Sequence, residues 1–116
     1  MDKPVFQILL LEDDNEFAFL VKHILQADES GHYQIMHATA LSEALIYLRE
    51  IEFDAILMDL NVPDSAGLNT FNQMHEAAPE KPIVVLTSLE DEKAAVQAVR
   101  SGAQDYLNKT HLTVQL

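Results

Sequence analysis

FDAILMDLNVPDSAGL, residues 53–68, is the stretch whose reading decides the fold. Ala55-Ile56-Leu57-Met58 is apolar at every position and stops abruptly at Asp59. A short run without polar alternation is the pattern of a strand covered on both faces, as in parallel sheets. Asn61 to Gly67 carries the turn residues Pro63, Asp64, Ser65 and Gly67, and a helix is expected from there to about Ala78.

The same pattern repeats on either side. Phe6 to Leu11 (FQILLL) is a second fully apolar strand, and it too ends on acids, Glu12-Asp13-Asp14. Phe17, Leu20, Val21, Ile24 and Leu25 then recur at helical spacing from about Asn15 to Ala27. Ser30-Gly31 breaks the chain before a strand over Tyr33 to Ala38. Leu41, Ala44, Leu45 and Leu48 mark the next helix. Beyond the opening stretch, Pro79 and Pro82 bracket a connection to a β-branched strand, Ile83 to Leu86. A helix over Asp91 to Arg100 has Gly102 at its C-terminal end, and Tyr106-Leu107 begins a last short strand. Five apolar strands alternating with four helices imply a parallel α/β sheet covered on both faces. Right-handed crossovers favour the doubly wound open form.

One hundred and sixteen residues are expected to form a single domain, 1–116, that buries roughly two-thirds of its unfolded surface without staples. There is no cysteine, which removes disulfides, thiolate metal sites and cysteine nucleophiles. Nineteen acids against seven Lys+Arg give a formal charge of -12. That balance disfavours a phosphate backbone or an anionic membrane surface as partner. No secretory signal or long apolar run is recognisable, so a cytoplasmic location is the expectation.

In such sheets the site lies beyond the carboxyl ends of the strands. There the chain places Glu12, Asp13 and Asp14, then Asp59 and Asn61, then Thr87 and Ser88, and finally Lys109. Two carboxylates roughly 5 Å apart repel by about 3 kcal/mol at an effective dielectric near 20, so either one is protonated or a cation joins them. The candidate ligands are all oxygens, which selects a hard ion, magnesium or manganese. Open coordination positions beside a lysine suit a phosphoryl group. Without a glycine-rich phosphate loop, the phosphate is expected on a carboxylate nucleophile, as an acyl phosphate. The five histidines are scattered. Asp14 reads as a helix cap, Asp54 and Asp64 as loop acids, and Glu90-Asp91-Glu92 as a solvated helix start.

Four segments, ILLLEDD (8–14), FDAILMDLNVPDSAGL (53–68), PIVVLTS (82–88) and GAQDYLNK (102–109), carry a resemblance. In that order, each at an expected strand end, they resemble the receiver domain of two-component response regulators over residues 5 to 110. The resemblance implies a flavodoxin-like strand order 2-1-3-4-5. It implies that Asp59 is the phosphoacceptor, with Mg2+ (or Mn2+) held by Glu12, Asp13, Asp59 and the backbone carbonyl of Asn61. Thr87 and Lys109 would contact the phosphoryl oxygens. Thr87, Ser88 and Tyr106 match the switch positions, and Asn61 and Leu89 match positions that influence attack by water. A histidine kinase or phosphotransfer protein is the implied donor, and a homodimer through the output face is admitted. Two departures stand out. Thr110 replaces the family's proline after Lys109, so a more mobile last loop is expected. Only seven residues run from Thr110 to Leu116, so the fifth helix is expected to be missing or truncated, as in an excised or truncated chain, with partial disorder after Lys109 or a compensating dimer.

A metal-dependent aspartyl phosphatase is the rival enzyme reading, but Asp59-Leu60-Asn61 lacks the Asp-x-Asp pattern and follows the third strand instead of the first. A degenerate interaction domain that ignores phosphorylation is the rival binding reading.

Overall fold

The structure, a computed structural model, describes residues 3–114. Strands β1 (Val5–Leu11), β2 (His32–Ala38), β3 (Ala55–Asp59), β4 (Ile83–Thr87) and β5 (Asp105–Asn108) form one sheet in the order β2-β1-β3-β4-β5. Every pairing is parallel. Helices α1 (Asn15–Gln26), α2 (Leu41–Glu50), α3 (Leu68–Ala77) and α4 (Glu92–Arg100) fill the crossovers, and a short 3-10 turn, Leu89–Asp91, leads into α4. A fifth helix, α5 (Lys109–Val114), is present. It is short, six residues, in line with the expectation of a truncated fifth helix. The Thr110 N–H donates to Asn108 Oδ1 at 2.8 Å, an Asx turn that starts the helix without a proline.

The apolar runs are buried on both faces by the two-residue alternation of a strand. Leu9, Leu11, Ile56, Met58, Ile83 and Val85 face α2, α3 and α4 in the larger core cluster, with Phe71 and Met74. Leu10 and Leu86, with the partly buried Leu57, face α1 and α5, against Phe17, Ala18, Val21 and Leu112. On the α1–α5 side an apolar groove lined by Ile24, Leu25, Leu107 and Leu112 remains open.

Two helix starts are secured by carboxylates. Asp14 Oδ1 accepts from the Glu16 and Phe17 N–H groups at 3.0 and 3.2 Å, as its reading as a cap anticipated. Asp64 is more than a loop acid. Its two oxygens accept from Leu41 N–H at 2.7 Å and Ser42 N–H at 2.9 Å, capping α2, whose own N-cap residue is Ala40. Those bonds hold the Asp64 carboxyl below its ordinary range.

Gly102 closes α4 with φ 126, a backbone conformation open chiefly to glycine. A Cβ there would lie 2.8 Å from His75 Nε2 of α3, whose ring stacks on Phe71. Gly102→Ala is therefore expected to destabilise the fold by about 1–3 kcal/mol, from backbone strain plus the displaced imidazole. Urea denaturation measures it, and an unchanged midpoint would show that α3 and α4 are not locked at this contact.

Candidate functional site

Because all five strands run the same way, their carboxyl ends meet at one edge. β1 delivers Glu12 and Asp13, β3 ends on Asp59, β4 ends on Thr87, and β5 is followed by Lys109. Glu12, Asp13 and Asp59 each offer a carboxylate oxygen, and the three lie within 4.8 Å of one another. Glu12 is fully buried, Asp59 half-buried and Asp13 exposed, so the cluster opens to solvent on the Asp13 side.

Lys109 is the counter-charge. Its Nζ lies 2.6 Å from Glu12 Oε1 and 2.7 Å from Asp59 Oδ2. The ammonium also sits 4.7 Å from the centroid of the buried Phe17 ring, a cation–π contact that supports it from below. Burial pulls Lys109 down, but the hydrogen bond to Asp59, the close contact with Glu12 and the charges of both outweigh it and hold the ammonium above its ordinary range. Burial pushes Glu12 up. Lys109 and the Asp14 N–H pull it back only in part, while the Asp59 charge adds to the rise.

Glu12 is held by two backbone contacts and one to its side chain. Its N–H donates to the Ala38 carbonyl at 2.9 Å. Its own carbonyl accepts from His37 Nε2 at 2.7 Å. Its Oε2 accepts from the Asp14 N–H at 3.1 Å. Oε1 is the exception: it is buried and takes no hydrogen bond of normal geometry, leaving only the ion pair to Lys109. Three carboxylates within 4.8 Å that share one ammonium, with oxygen donors only, form a set that a hard divalent cation would complete. The residues therefore fit such an ion.

The loop after β3 is tied down by three hydrogen bonds. Asn61 N–H donates to Asp59 Oδ1 at 2.9 Å, Asn61 Oδ1 accepts from Gly67 N–H at 3.0 Å, and the buried Thr70 hydroxyl donates to the Leu60 carbonyl at 2.6 Å. The Thr87 side chain, 1% exposed, donates to the Ser88 carbonyl at 3.0 Å. Tyr106 is half-buried, and its hydroxyl donates to Glu92 Oε1 at 2.9 Å, which raises the phenol above its ordinary range. Leu89 is largely exposed.

Two acids differ from their sequence reading as a solvated helix start. Glu92 holds Tyr106, and Asp91 Oδ2 accepts from Asn61 Nδ2 at 2.9 Å and Ser88 Oγ at 3.0 Å. Its Ser88 partner is local, three residues back, but no local signal marks the bond to Asn61, thirty residues away. His37 was missed for the same reason: it joins the site through the β1–β2 register, which pairs it with Leu10.

The fold and this edge define a class. The model of the response regulator receiver domain matches residues 8–116, and the chain belongs to that family. It is 31% identical over 117 residues to the methanogenesis regulatory protein FilR1 of Methanothrix harundinacea, an alignment covering 98% of this chain and 26% of that protein. It is 34% identical over 106 residues to the virulence transcriptional regulatory protein PhoP of Salmonella typhimurium, covering 90% and 46%. The chain thus spans less than half the length of these relatives. The crystal structure of a response regulator receiver domain protein from Clostridium thermocellum superposes with a TM-score of 0.77 at 24% identity, covering 90% of this chain and 82% of that one, a likeness of fold. Receiver domains are signalling modules of two-component systems rather than enzymes of metabolism. Among the described residues no helix is long and apolar enough to cross a membrane.

Removing Lys109 should expose the electrostatics. A carboxyl whose folded pKa lies above its unfolded one makes stability fall as pH rises between the two values. A lysine held above its ordinary value contributes stability until pH rises through its folded pKa, in the alkaline range. Lys109→Met should therefore cost about 2–3 kcal/mol at pH 8, less than a fully buried pair because Lys109 is 21% exposed. The deficit should shrink toward pH 5 as Glu12 takes up a proton, and added magnesium should recover part of it at pH 8. Urea melts across that range check this; a deficit independent of pH would contradict the role given to Glu12.

Proposed function

We propose that the chain accepts a phosphoryl group on Asp59 from a histidine kinase or phosphotransfer protein, in a Mg2+-dependent (or Mn2+-dependent) reaction, and signals by changing a partner-binding face. The observation that carries this reading is the Lys109 ammonium held between Glu12 and Asp59 beside three carboxylates within 4.8 Å. A carboxylate nucleophile needs positive charge around the phosphoryl group it receives, and this edge supplies a lysine and a set of oxygen ligands for a cation. Glu12, Asp13, Asp59 and the Asn61 backbone carbonyl would hold that ion, which neutralises charge on the transferring group when bound.

An Asp59 oxygen attacks phosphorus, the bond to the donor's imidazole nitrogen breaks, and the electron pair stays on the imidazole. The product is an acyl phosphate. Lys109 exchanges its bond to Asp59 for one to a phosphoryl oxygen. Thr87 gives up the Ser88 carbonyl and donates to another, and Ser88 flanks the group. The added charge, close to two units, biases an existing equilibrium of the loop after β4, with Tyr106 responding as the switch aromatic. The face of α4, β5 and α5 then meets an output partner or a second copy. Direct contact with nucleic acid is disfavoured by the charge of -12. A cytoplasmic setting agrees with a cytoplasmic kinase domain as donor.

Incubation with acetyl phosphate and magnesium should add the mass of one phosphoryl group, seen by intact-protein mass spectrometry. Asp59→Asn should lose that adduct at least about a hundredfold in rate, since an amide is a far poorer nucleophile. Equal modification of the variant and the parent would move the acceptor elsewhere.

A further inference from the structure

Asp91 stands apart from the groups that surround the phosphoryl position, yet it holds two of the loops that frame it. One oxygen, Oδ2, takes both the Asn61 side-chain amide at 2.9 Å and the Ser88 hydroxyl at 3.0 Å. The Asp91 N–H also donates to the Ser88 carbonyl at 3.2 Å, the same carbonyl that receives the Thr87 hydroxyl. Asn61 is the fixed end of this chain of contacts, anchored to Asp59 and Gly67. Ser88 is the other end, and it is covalently next to Thr87. Among the described residues no other side-chain hydrogen bond joins the loop after β3 to the turn after β4.

We propose that Asp91 is a positioning residue that latches the Thr87–Ser88 segment to Asn61 in the unphosphorylated protein. While the latch is closed, the Thr87 hydroxyl is kept on the Ser88 carbonyl. A displacement of the Thr87 backbone toward a phosphoryl group on Asp59 carries Ser88 with it and stretches the Asp91 bonds. Asp91 therefore sets the threshold at which the phosphoryl group captures Thr87. The proposal rests on Asp59 being the acceptor.

A latch has a signature that a merely structural contact lacks: its removal lowers stability and raises affinity for the phosphoryl mimic at the same time. The test titrates beryllofluoride with magnesium into the parent chain, Asp91→Ala and Asp91→Asn, alongside thermal melts of the metal-free proteins. Asp91→Ala should bind beryllofluoride about three- to tenfold more tightly and melt lower, from the loss of two hydrogen bonds. Asp91→Asn, whose amide oxygen can accept the same two bonds without the charge, should stay within about twofold of the parent. Unchanged or weaker binding by Asp91→Ala overturns the latch. So does an Asp91→Asn variant that binds as tightly as Asp91→Ala, since the effect is then one of charge. A second readout needs no phosphoryl group. Amide exchange in the metal-free protein should show protection at position 91 reduced at least about fivefold in Asp91→Ala, and unaltered protection overturns the latch. Failure of the parent chain itself to bind beryllofluoride counts against the Asp59 reading, and amide exchange then decides the latch alone.

Discussion

A carboxylate without solvent is costly unless something of opposite charge reaches it, and Glu12 has no exposed surface at all. What reaches it is Lys109, ninety-seven positions later in the chain by its number, brought there because β1 and β5 run parallel in one sheet. The pair ties the first strand to the last through the site and not through the sheet, since β3 and β4 lie between them. Asp59, at the end of β3, shares the same ammonium. One cation thus answers two anions, with a third acid, Asp13, at the solvent side. The local imbalance is what makes the edge receptive to a further cation, and the ammonium is what makes it receptive to an anion.

The surrounding hydrogen bonds serve to keep this imbalance in place. Glu12 is pinned by Ala38, His37 and Asp14, and Asp59 by Asn61, whose own side chain is held by Gly67 and Asp91. Left free, like charges would move apart into water. Held by backbone partners, they stay within 4.8 Å. Apart from Asp91 and Glu92, which hold side chains around the site, most remaining acids behave as surface groups or as helix caps, of which Asp14 and Asp64 are the clearest. A formal charge of -12 therefore describes two populations, one solvated and one confined.

Strands, their direction and the residues at their ends were legible in the sequence because each rests on a local property. Apolar runs such as Leu9-Leu10-Leu11 report burial on both faces, and the acids or hydroxyls that stop them report the edge. Asp14 was legible as a cap for the same reason. The strand order and the particular roles of Thr87, Ser88 and Tyr106 came from family resemblance and not from patterning. What could not be read was pairing at long range. Asp64 capping α2 and Asp91 holding Asn61 depend on loop positions, and His37 holding the Glu12 carbonyl on strand register, neither of which a spacing rule encodes. The start of α5 lacks the constraint that a proline after Lys109 would give. Asn108 supplies a different one, a side-chain acceptor for the Thr110 N–H.

Lys109 is also the first residue of α5. The side chain at the bottom of the acidic edge and the helix against the α1 face are therefore a single mechanical piece, with Leu112 packed beside Phe17, Val21 and Leu86 three residues further on. A change in what the ammonium grips is transmitted as a pull on the root of that helix, through covalent bonds rather than through a relay of contacts. The molecule has two routes from one pocket, then. On the proposed phosphorylation of Asp59, one would be a hydroxyl that changes partner after β4, and the other a tether that shortens or slackens after β5.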